Sequence, residues 1–313
     1  MKENLGQFLL HLSQGVLIYL PTNNSITSDD LEILESENGS VSISQATLNS
    51  LFCAPTGHPE AILTIHPEAT PNTQLNSLFF IGNNGFLPFS FAAVHAWFFN
   101  ERYSNKSFNS DLSISLNTTC GIVNLSPIDE HLTRSIIKIP ILKPSNPPDK
   151  NYQIGVPGLG LLNFQIGIGI DLWIIIPSES IAASTDPLHH AKLKNAGKWI
   201  IESVKNGITL NFFKSEKLNK IRGIAFYEIT KHGLSLTCVT TEGNLLPTPP
   251  VEAVAACLTL PFGPFKHLAT ENNEGLELSA TGINGLISSI TIDKYDNLVS
   301  IADSKEIGSL LLV

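Results

Sequence analysis

Two segments, one in each half of the chain, repeat the same order of local signals. A strand-like run (76–82, NSLFFIG) leads through a turn rich in glycine and proline into an Ala-rich apolar run that begins at Phe91. A second run (234–241, LSLTCVTT) leads through a similar turn into an Ala-rich run that begins at Val251. The repeat predicts two related lobes, each with a helix N-terminus whose free N–H groups can hold an anion.

The rest of the chain predicts mostly β structure with few helices. Short β-branched or alternating runs are bounded by Gly, Pro, Asn or Asp, as strands are. The clearest helix is 186–207, which opens with Asp186 and Pro187 and ends at Gly207. We therefore predict an α+β fold. The strand-like runs are GVLIYLP, EAILTIHP, NSLFFIG, SISLNTTCGIVNLS, SIIKIPIL, LLNFQIGIGIDLWIIIP, GIAFYEIT, LSLTCVTT and LISSITID.

A proline-rich segment, KPSNPPDKN (143–151), is the best linker because it has no apolar side chain. It divides the chain into an N-terminal lobe at 1–146 and a C-terminal lobe at 147–313. The last ~15–20 residues are expected to pack back on the N-terminal lobe, since a chain end is ordered only where it docks.

Composition narrows the class of partner. Apolar residues make up 42% of the chain and the formal net charge is −9, with Lys and Arg scattered along it. A core is therefore expected, and nucleic acid or an anionic membrane surface is not the expected partner. We expect a small molecule or another protein as partner, in a monomer or homodimer. No signal-peptide arrangement or membrane-spanning run is found, so the expected location is cytoplasmic.

No cofactor or metal is predicted. The four cysteines, Cys53, Cys120, Cys238 and Cys257, lie far apart, which fits neither a disulfide framework nor a zinc site. Adjacent His189 and His190 diverge by about 100° on a helix, so a solvated helix face is favoured over a metal site. The run GVPGLG lacks the following helix that a phosphate-binding loop needs.

Three segments stand in the order of the motifs of one known family: APTGH (54–58), NGF (84–86) and EGNLLPTPPVEAVAACL (242–258). They resemble the proline racemase and hydroxyproline epimerase family. Residues 54–58 (APTGH) stand at its EPRGH-like segment, and 84–86 (NGF) stand at the N-x-G-Y turn of its first active-site loop. The run EGNLLPTPPVEAVAACL (242–258) falls on the family's G-D-G-x-x-D-R-S-P-C-G-T-G loop. Further matches are LNTTCGIVNLS to D-T-P-A-G-L-V, VPGLGLLNFQIGIGIDLWIII to V-P-G-L-G and Y-G-G-x-F-Y, and His11 to an early H-T-G-G.

The resemblance implies two pseudo-symmetric β-rich lobes, each a curled, mostly antiparallel sheet around a central helix, as in diaminopimelate epimerase. It also implies cofactor-independent chemistry. In that family, two cysteines act on the substrate, each at the start of one central helix. One removes the α-proton, and the other donates a proton on the opposite face of the substrate Cα. A helix N-terminus suits a cysteine because it lowers the thiol pKa.

The departures from the family lie at these two positions. Ser90 stands where the first cysteine is expected, and Pro250 stands where the second is expected. A shifted alignment would place Thr248 at the second position instead. The residues expected to line the ligand cleft are His58, Phe89, Phe91, Ala92, Leu246, Val251 and Glu252, and those at 91, 92, 246, 251 and 252 also differ from the family's residues.

Three functional hypotheses follow. Proline has no exchangeable proton, and a serine hydroxyl is not a base without an activating neighbour, so two-base racemisation is not expected. The first hypothesis is a pseudoenzyme whose inter-lobe cleft binds a small ligand or a partner. The second is an active isomerase, epimerase or dehydratase that uses Ser90 with Thr248 or His58. The third is a structural protein whose cleft is closed by Phe89, Phe91 and Leu246.

Overall fold

The structure, a computed structural model, describes residues 6–21, 31–34, 40–43, 61–65, 76–82, 85–104, 113–128, 134–261 and 263–312. The chain forms two compact units. Unit 1 holds the described residues of Met1–Thr119, Asn124–Ile136 and Ala302–Val313, and unit 2 holds those of Cys120–Val123 and Ile137–Ile301.

Strands dominate both units, as the short β-branched runs predict. The strands are β1 (Gly6–Ser13), β2 (Val16–Pro21), β3 (Leu31–Leu34), β4 (Ser40–Ile43), β5 (Ala61–Ile65), β6 (Asn76–Ser77), β7 (Phe79–Gly82), β8 (Gly85–Leu87), β9 (Ile114–Thr118), β10 (Gly121–Pro127), β11 (Arg134–Pro140), β12 (Tyr152–Val156), β13 (Gly160–Ile168), β14 (Leu172–Pro177), β15 (Ile221–Thr230), β16 (Gly233–Thr240), β17 (Leu245–Leu246), β18 (Thr270–Asn272), β19 (Gly275–Thr281), β20 (Ile287–Asp293) and β21 (Asn297–Leu312).

The α-helices are α1 (Phe91–Ser104), α2 (His190–Gly207), α3 (Val251–Thr259) and the short α4 (Phe265–Leu268). The predicted helix at 186–207 is confirmed, with a 3-10 turn at Pro187–His189 before α2. Asp186 caps it as expected, because its carboxylate accepts the Leu188 N–H at 2.9 Å.

Unit 1 is built on a sheet covered by α1. Strand β1 pairs antiparallel with β2 and with the unit 1 part of β21, and β5 pairs parallel with β2 and antiparallel with β7. Helix α1 packs on β1, β2 and β5. Nearly all of its described side chains are buried, which explains its Ala-rich and Phe-rich composition.

Unit 2 follows the same plan with a larger sheet. Most neighbouring strands from β12 to β20 pair antiparallel, but β14 pairs parallel with β15 and β16 pairs parallel with β19. Helix α3 packs on β13, β14, β19 and β20, whereas α2 packs on β12, β15 and β16. The Ala-rich runs predicted to be helices are therefore α1 and α3, each packed on the sheet of its own unit.

Two glycines allow α3 to lie directly on its sheet. A Cβ at Gly167 would come within 2.5 Å of the Ala256 carbonyl oxygen, and one at Gly169 within 2.9 Å of the Ala255 Cβ. Thr259 also donates from Oγ1 to the Ile168 carbonyl at 2.7 Å. The run LLNFQIGIGIDLWIIIP forms two strands, β13 and β14, because the chain turns at residues 169–171.

The proline-rich segment 143–151 forms neither helix nor strand and lies within unit 2. The lobe boundary between residues 146 and 147 stays a prediction. Residues 302–312 of β21 belong to unit 1, where they pair with β1. Among the described residues, no helix is long and apolar enough to cross a membrane.

Candidate functional site

Ser90, at the position of the first expected cysteine, is the N-cap of α1. Its Oγ accepts the Ala93 N–H at 3.2 Å, and its carbonyl accepts the Val94 N–H at 3.1 Å. The residue is 3% exposed. The hydroxyl thus binds a backbone donor that would otherwise be open to an anion.

Aromatic side chains fill the space around this N-terminus. The Phe89 and Phe91 rings meet edge to face with centroids 5.1 Å apart, and Phe80 meets Phe89 at 5.7 Å. Phe89, Phe91 and Ala92 are all buried. The aromatic rings pack together as an apolar cluster within unit 1. Large side chains therefore lie beside the N-terminus of α1, as the sequence predicts. Leu246, the third residue of the closed-cleft hypothesis, belongs to unit 2.

Two histidines in the described part of unit 1 are buried. His95 and Ser135 share a hydrogen bond of 2.6 Å between Nδ1 and Oγ. His11 lies edge to face against Phe99, with centroids 5.7 Å apart. Burial lowers the pKa of His95 to about 3 and the pKa of His11 to about 4, so both are neutral at pH 7.

Pro250, at the position of the second expected cysteine, is the N-cap residue of α3 and makes no side-chain cap. Its carbonyl accepts the N–H groups of Ala253 and Val254 at 3.0 and 3.2 Å. A pyrrolidine ring has neither an acid nor a base to offer. This position therefore cannot exchange a proton with a substrate.

The alternative residue, Thr248, is held by a loop that the sequence analysis did not assign a role. Asn284 donates from Nδ2 to Thr248 Oγ1 at 3.1 Å, and Ser288 donates from Oγ to the Pro249 carbonyl at 2.6 Å. Gly282 lies so close that a Cβ there would be 2.6 Å from Pro249 Cδ. In the sequence this loop corresponds to the run SATGINGLI (279–287), which contains Gly282 and Gly285.

The other second-unit residues are apolar or placed for helix stability. Leu246 pairs with Cys238 at the start of the turn, and both Leu246 and Val251 are buried. Glu252 is 9% exposed in the first turn of α3. A carboxylate there stabilises the helix N-terminus but repels a substrate carboxylate.

The described cysteines are not poised for catalysis. Cys120, Cys238 and Cys257 are buried. Burial raises the pKa of Cys257, and burial and the Asp171 carboxylate raise the pKa of Cys120. A thiol of this kind is inert because its thiolate form is suppressed. Cys53 lies outside the described residues.

Three histidines remain from the sequence analysis: His58, His189 and His190. His58 lies outside the described residues, so its role stays a prediction. No group of three or more potential ligands that could hold a metal occurs in the described part of the chain. His189 and His190 bond locally instead, to Ser184 and to the Thr185 carbonyl.

Solved protein structures resemble this fold, although sequence comparisons find no relative. No family model and no curated protein sequence matches this chain. The structure resembles a probable proline racemase from Agrobacterium radiobacter with bound carbonate, at 12% identity and a TM-score of 0.70, over 98% of this chain and 92% of that one. It resembles equally a hydroxyproline epimerase from Agrobacterium vitis with bound trans-4-hydroxy-L-proline, at 12% identity and a TM-score of 0.70, over 98% and 90%.

A methylitaconate-delta-isomerase also matches, at 11% identity and a TM-score of 0.54, over 98% of this chain and 94% of that one. At these identities the likeness shows the fold alone. The predicted fold is confirmed: the chain is a mixed α+β protein, mostly of strands, with the proline racemase fold.

Proposed function

We propose that this chain retains the proline racemase fold without two-base racemase activity and acts as a binding protein. The observation that carries the proposal is Pro250 at the N-cap of α3, where an exchangeable proton is needed. The hydrogen bonding of Ser90 supports it, because this buried hydroxyl caps its own helix and makes no hydrogen bond to a base among the described residues.

The ligand chemistry is also part of the proposal. The racemase and epimerase relatives in fold hold carbonate and trans-4-hydroxy-L-proline. In this chain, Glu252 and the Phe89–Phe91 cluster stand where the family resemblance implies residues that leave backbone N–H groups free to bind a carboxylate. We therefore expect a small apolar or differently charged molecule, or a protein partner, and not a free amino acid. A monomer or homodimer without metal or organic cofactor fits this role.

The test is α-proton exchange. The purified full chain is incubated in deuterated water with L-proline and, separately, with trans-4-hydroxy-L-proline, and the α-proton signal is followed by NMR. We expect the signal to persist. The same spectra would show loss of water from the hydroxylated substrate, which is the dehydratase alternative.

Three variants make the outcome specific. Exchange or dehydration that disappears in Ser90→Ala, Thr248→Ala or His58→Ala would replace this proposal with the active-enzyme alternative. Calorimetric titration with the same two amino acids is the complementary measurement, and we expect no saturable heat. Tight binding without exchange would keep the loss of catalysis but contradict the expected ligand chemistry.

A further inference from the structure

A second set of functional groups lies in unit 2, away from both helix N-termini discussed above. Strands β14 and β15 are parallel, with Pro177 opposite Tyr227, and α2 makes the crossover between them. Ligand and catalytic groups of α/β units collect at the carboxyl ends of such strands. The loop that follows β14 carries Ser184 and His189, and Glu228 lies near the end of β15.

Ser184 and His189 form a pair with a defined direction. Ser184 Oγ lies 2.8 Å from His189 Nδ1, and the Ser184 backbone N–H donates to the same nitrogen at 2.9 Å. A backbone N–H can only donate, so Nδ1 presents its lone pair to Ser184 and the ring proton resides on Nε2. The hydroxyl is then the donor to Nδ1. A serine that donates to a neutral imidazole is the arrangement of a nucleophile and its general base.

The surrounding loop holds this pair in place. The Thr185 backbone N–H and Oγ1 both donate to Glu228 Oε2, at 2.9 and 3.0 Å. On the other side, the Asp186 N–H donates to Ser184 Oγ at 3.3 Å. Anchoring of this kind keeps a nucleophile and its base within reactive distance.

Accessibility separates this pair from the other Ser–His pair in the described residues. His95 and Ser135 make the same Nδ1–Oγ bond at 2.6 Å, but they are 0% and 4% exposed. Ser184 and His189 are both partly exposed. A reagent can therefore reach Ser184 and His189 but not Ser135 and His95. The buried pair serves as an internal control for labelling.

We propose that Ser184 is a nucleophile, with His189 as its general base, and that this site takes an acyl group from carboxylic esters. Ser184 Oγ attacks the ester carbonyl, and its proton passes to His189 Nδ1. The bond between the carbonyl carbon and the leaving oxygen breaks, and the leaving oxygen takes the proton from Nδ1. Water then hydrolyses the acyl-serine, with Nδ1 as the base again.

The same step releases a donor for the developing oxyanion. Once Nδ1 carries the Oγ proton, it can no longer accept the Ser184 backbone N–H. The N–H of the nucleophile's own residue is one of the two oxyanion donors in serine proteases. In this loop it becomes available when negative charge forms on the substrate oxygen.

An alkyl fluorophosphonate tests the nucleophile directly on the full chain. Oγ forms a bond to phosphorus, the P–F bond breaks, fluoride leaves and the Oγ proton passes to Nδ1. We expect one phosphonyl group per chain, mapped by peptide mass spectrometry to Ser184 and absent in Ser184→Ala. Turnover of 4-nitrophenyl acetate, followed by release of 4-nitrophenolate, tests the substrate class and should be lost in the same variant.

His189→Gln is the matched variant for the base. The Gln side-chain oxygen can still accept the Ser184 N–H, but it is not a base. We expect phosphonylation to slow by roughly 100-fold or more, the usual contribution of a general base, with an unchanged melting temperature. Absence of labelling, labelling at Ser135, or equal rates in His189→Gln and the natural sequence would each overturn the proposal. Proline α-proton exchange does not depend on Ser184, so the two proposals fail independently.

Discussion

Ser90 Oγ accepts the backbone N–H of Ala93, three residues further along α1. The residue at the first expected catalytic position is thus engaged with its own helix. We expect Ser90→Ala to lower the free energy of unfolding by about 1 kcal/mol, because an N-cap bond is lost. Urea unfolding followed by circular dichroism measures this change.

Ser113→Ala is the matched control for the cap. Ser113 is exposed and bonds only another surface serine among the described residues, Ser126, at 2.7 Å. The expected change there is within about 0.5 kcal/mol. Equal effects at the two serines would show that Ser90 does not cap α1.

Gly282 is required by the loop that holds Thr248. A Cβ at this position would lie 2.7 Å from the Pro247 carbonyl oxygen and 2.6 Å from Pro249 Cδ. Backbone and proline-ring atoms cannot rotate away, so we expect Gly282→Ala to cost roughly 1–3 kcal/mol of stability. Thermal unfolding measures the cost. Gly155→Ala is the control, since a Cβ at Gly155 meets no described atom within 4 Å; similar losses in both variants would contradict the packing.

The fold was largely predictable because its signals are local. Alternating β-branched runs predicted β16 and β20, and the Asp186 cap predicted the start of the helix at 186–207. The division of the run LLNFQIGIGIDLWIIIP into β13 and β14 was not predicted, and neither was the contact of Gly167 and Gly169 with α3. That contact is a tertiary relationship, which a strand pattern does not contain.

The parts of the candidate site that could be predicted are those set by local sequence, namely the two helix starts. Ser90 and Pro250 were placed at helix starts by the repeated turn-helix pattern, and both do begin helices. Asn284 and Ser288, which hold the second loop, come from a distant part of the chain. Their side-chain bonds depend on the pairing of β19 with β20, so local periodicity could not indicate them.

Acid should destabilise the chain through its buried histidines. The pKa of His11 falls from 6.5 to about 4 and that of His95 from 6.5 to about 3 on folding. The unfolded chain therefore binds more protons below pH 6.5. Stability from these neutral histidines is complete above pH 6.5 and is lost as the pH falls toward 4 and then 3, at about 1.4 kcal/mol per pH unit for each group. Urea unfolding at several pH values measures the slope.

His11→Phe isolates one of these contributions. Neither ring nitrogen of His11 has a hydrogen-bond partner among the described residues, and its ring already packs edge to face on Phe99. Phenylalanine keeps the shape and removes two buried polar atoms. We expect it to raise stability at pH 7 by about 1 kcal/mol and to reduce the pH slope between 6.5 and 4 by one proton. A loss of stability at pH 7, or an unchanged slope, would be inconsistent with an uncharged and unbonded His11.

Restoring the two cysteines should not restore racemisation. In Ser90→Cys with Pro250→Cys, the first thiol is surrounded by Phe89 and Phe91, and the second is followed by Glu252. A helix N-terminus can lower a thiol pKa, but catalytic groups must also be held within about half an ångström by their neighbours. In unit 1 the apolar rings offer a carboxylate no partner, and in unit 2 the Glu252 carboxylate repels a second carboxylate.

The measurement is polarimetry with L-proline, using the double variant and a second variant that also carries Glu252→Thr. That replacement exchanges a charge for the neutral hydroxyl residue that the family resemblance implies after the second cysteine. We expect no rotation change with the double variant and at most slow turnover with the triple variant, because Phe91 still stands directly after the first thiol. Clear turnover by the double variant would mean that the backbone amides of both helices still bind a carboxylate. In that case the two substitutions alone, and not the loss of the surrounding residues, would account for the missing activity.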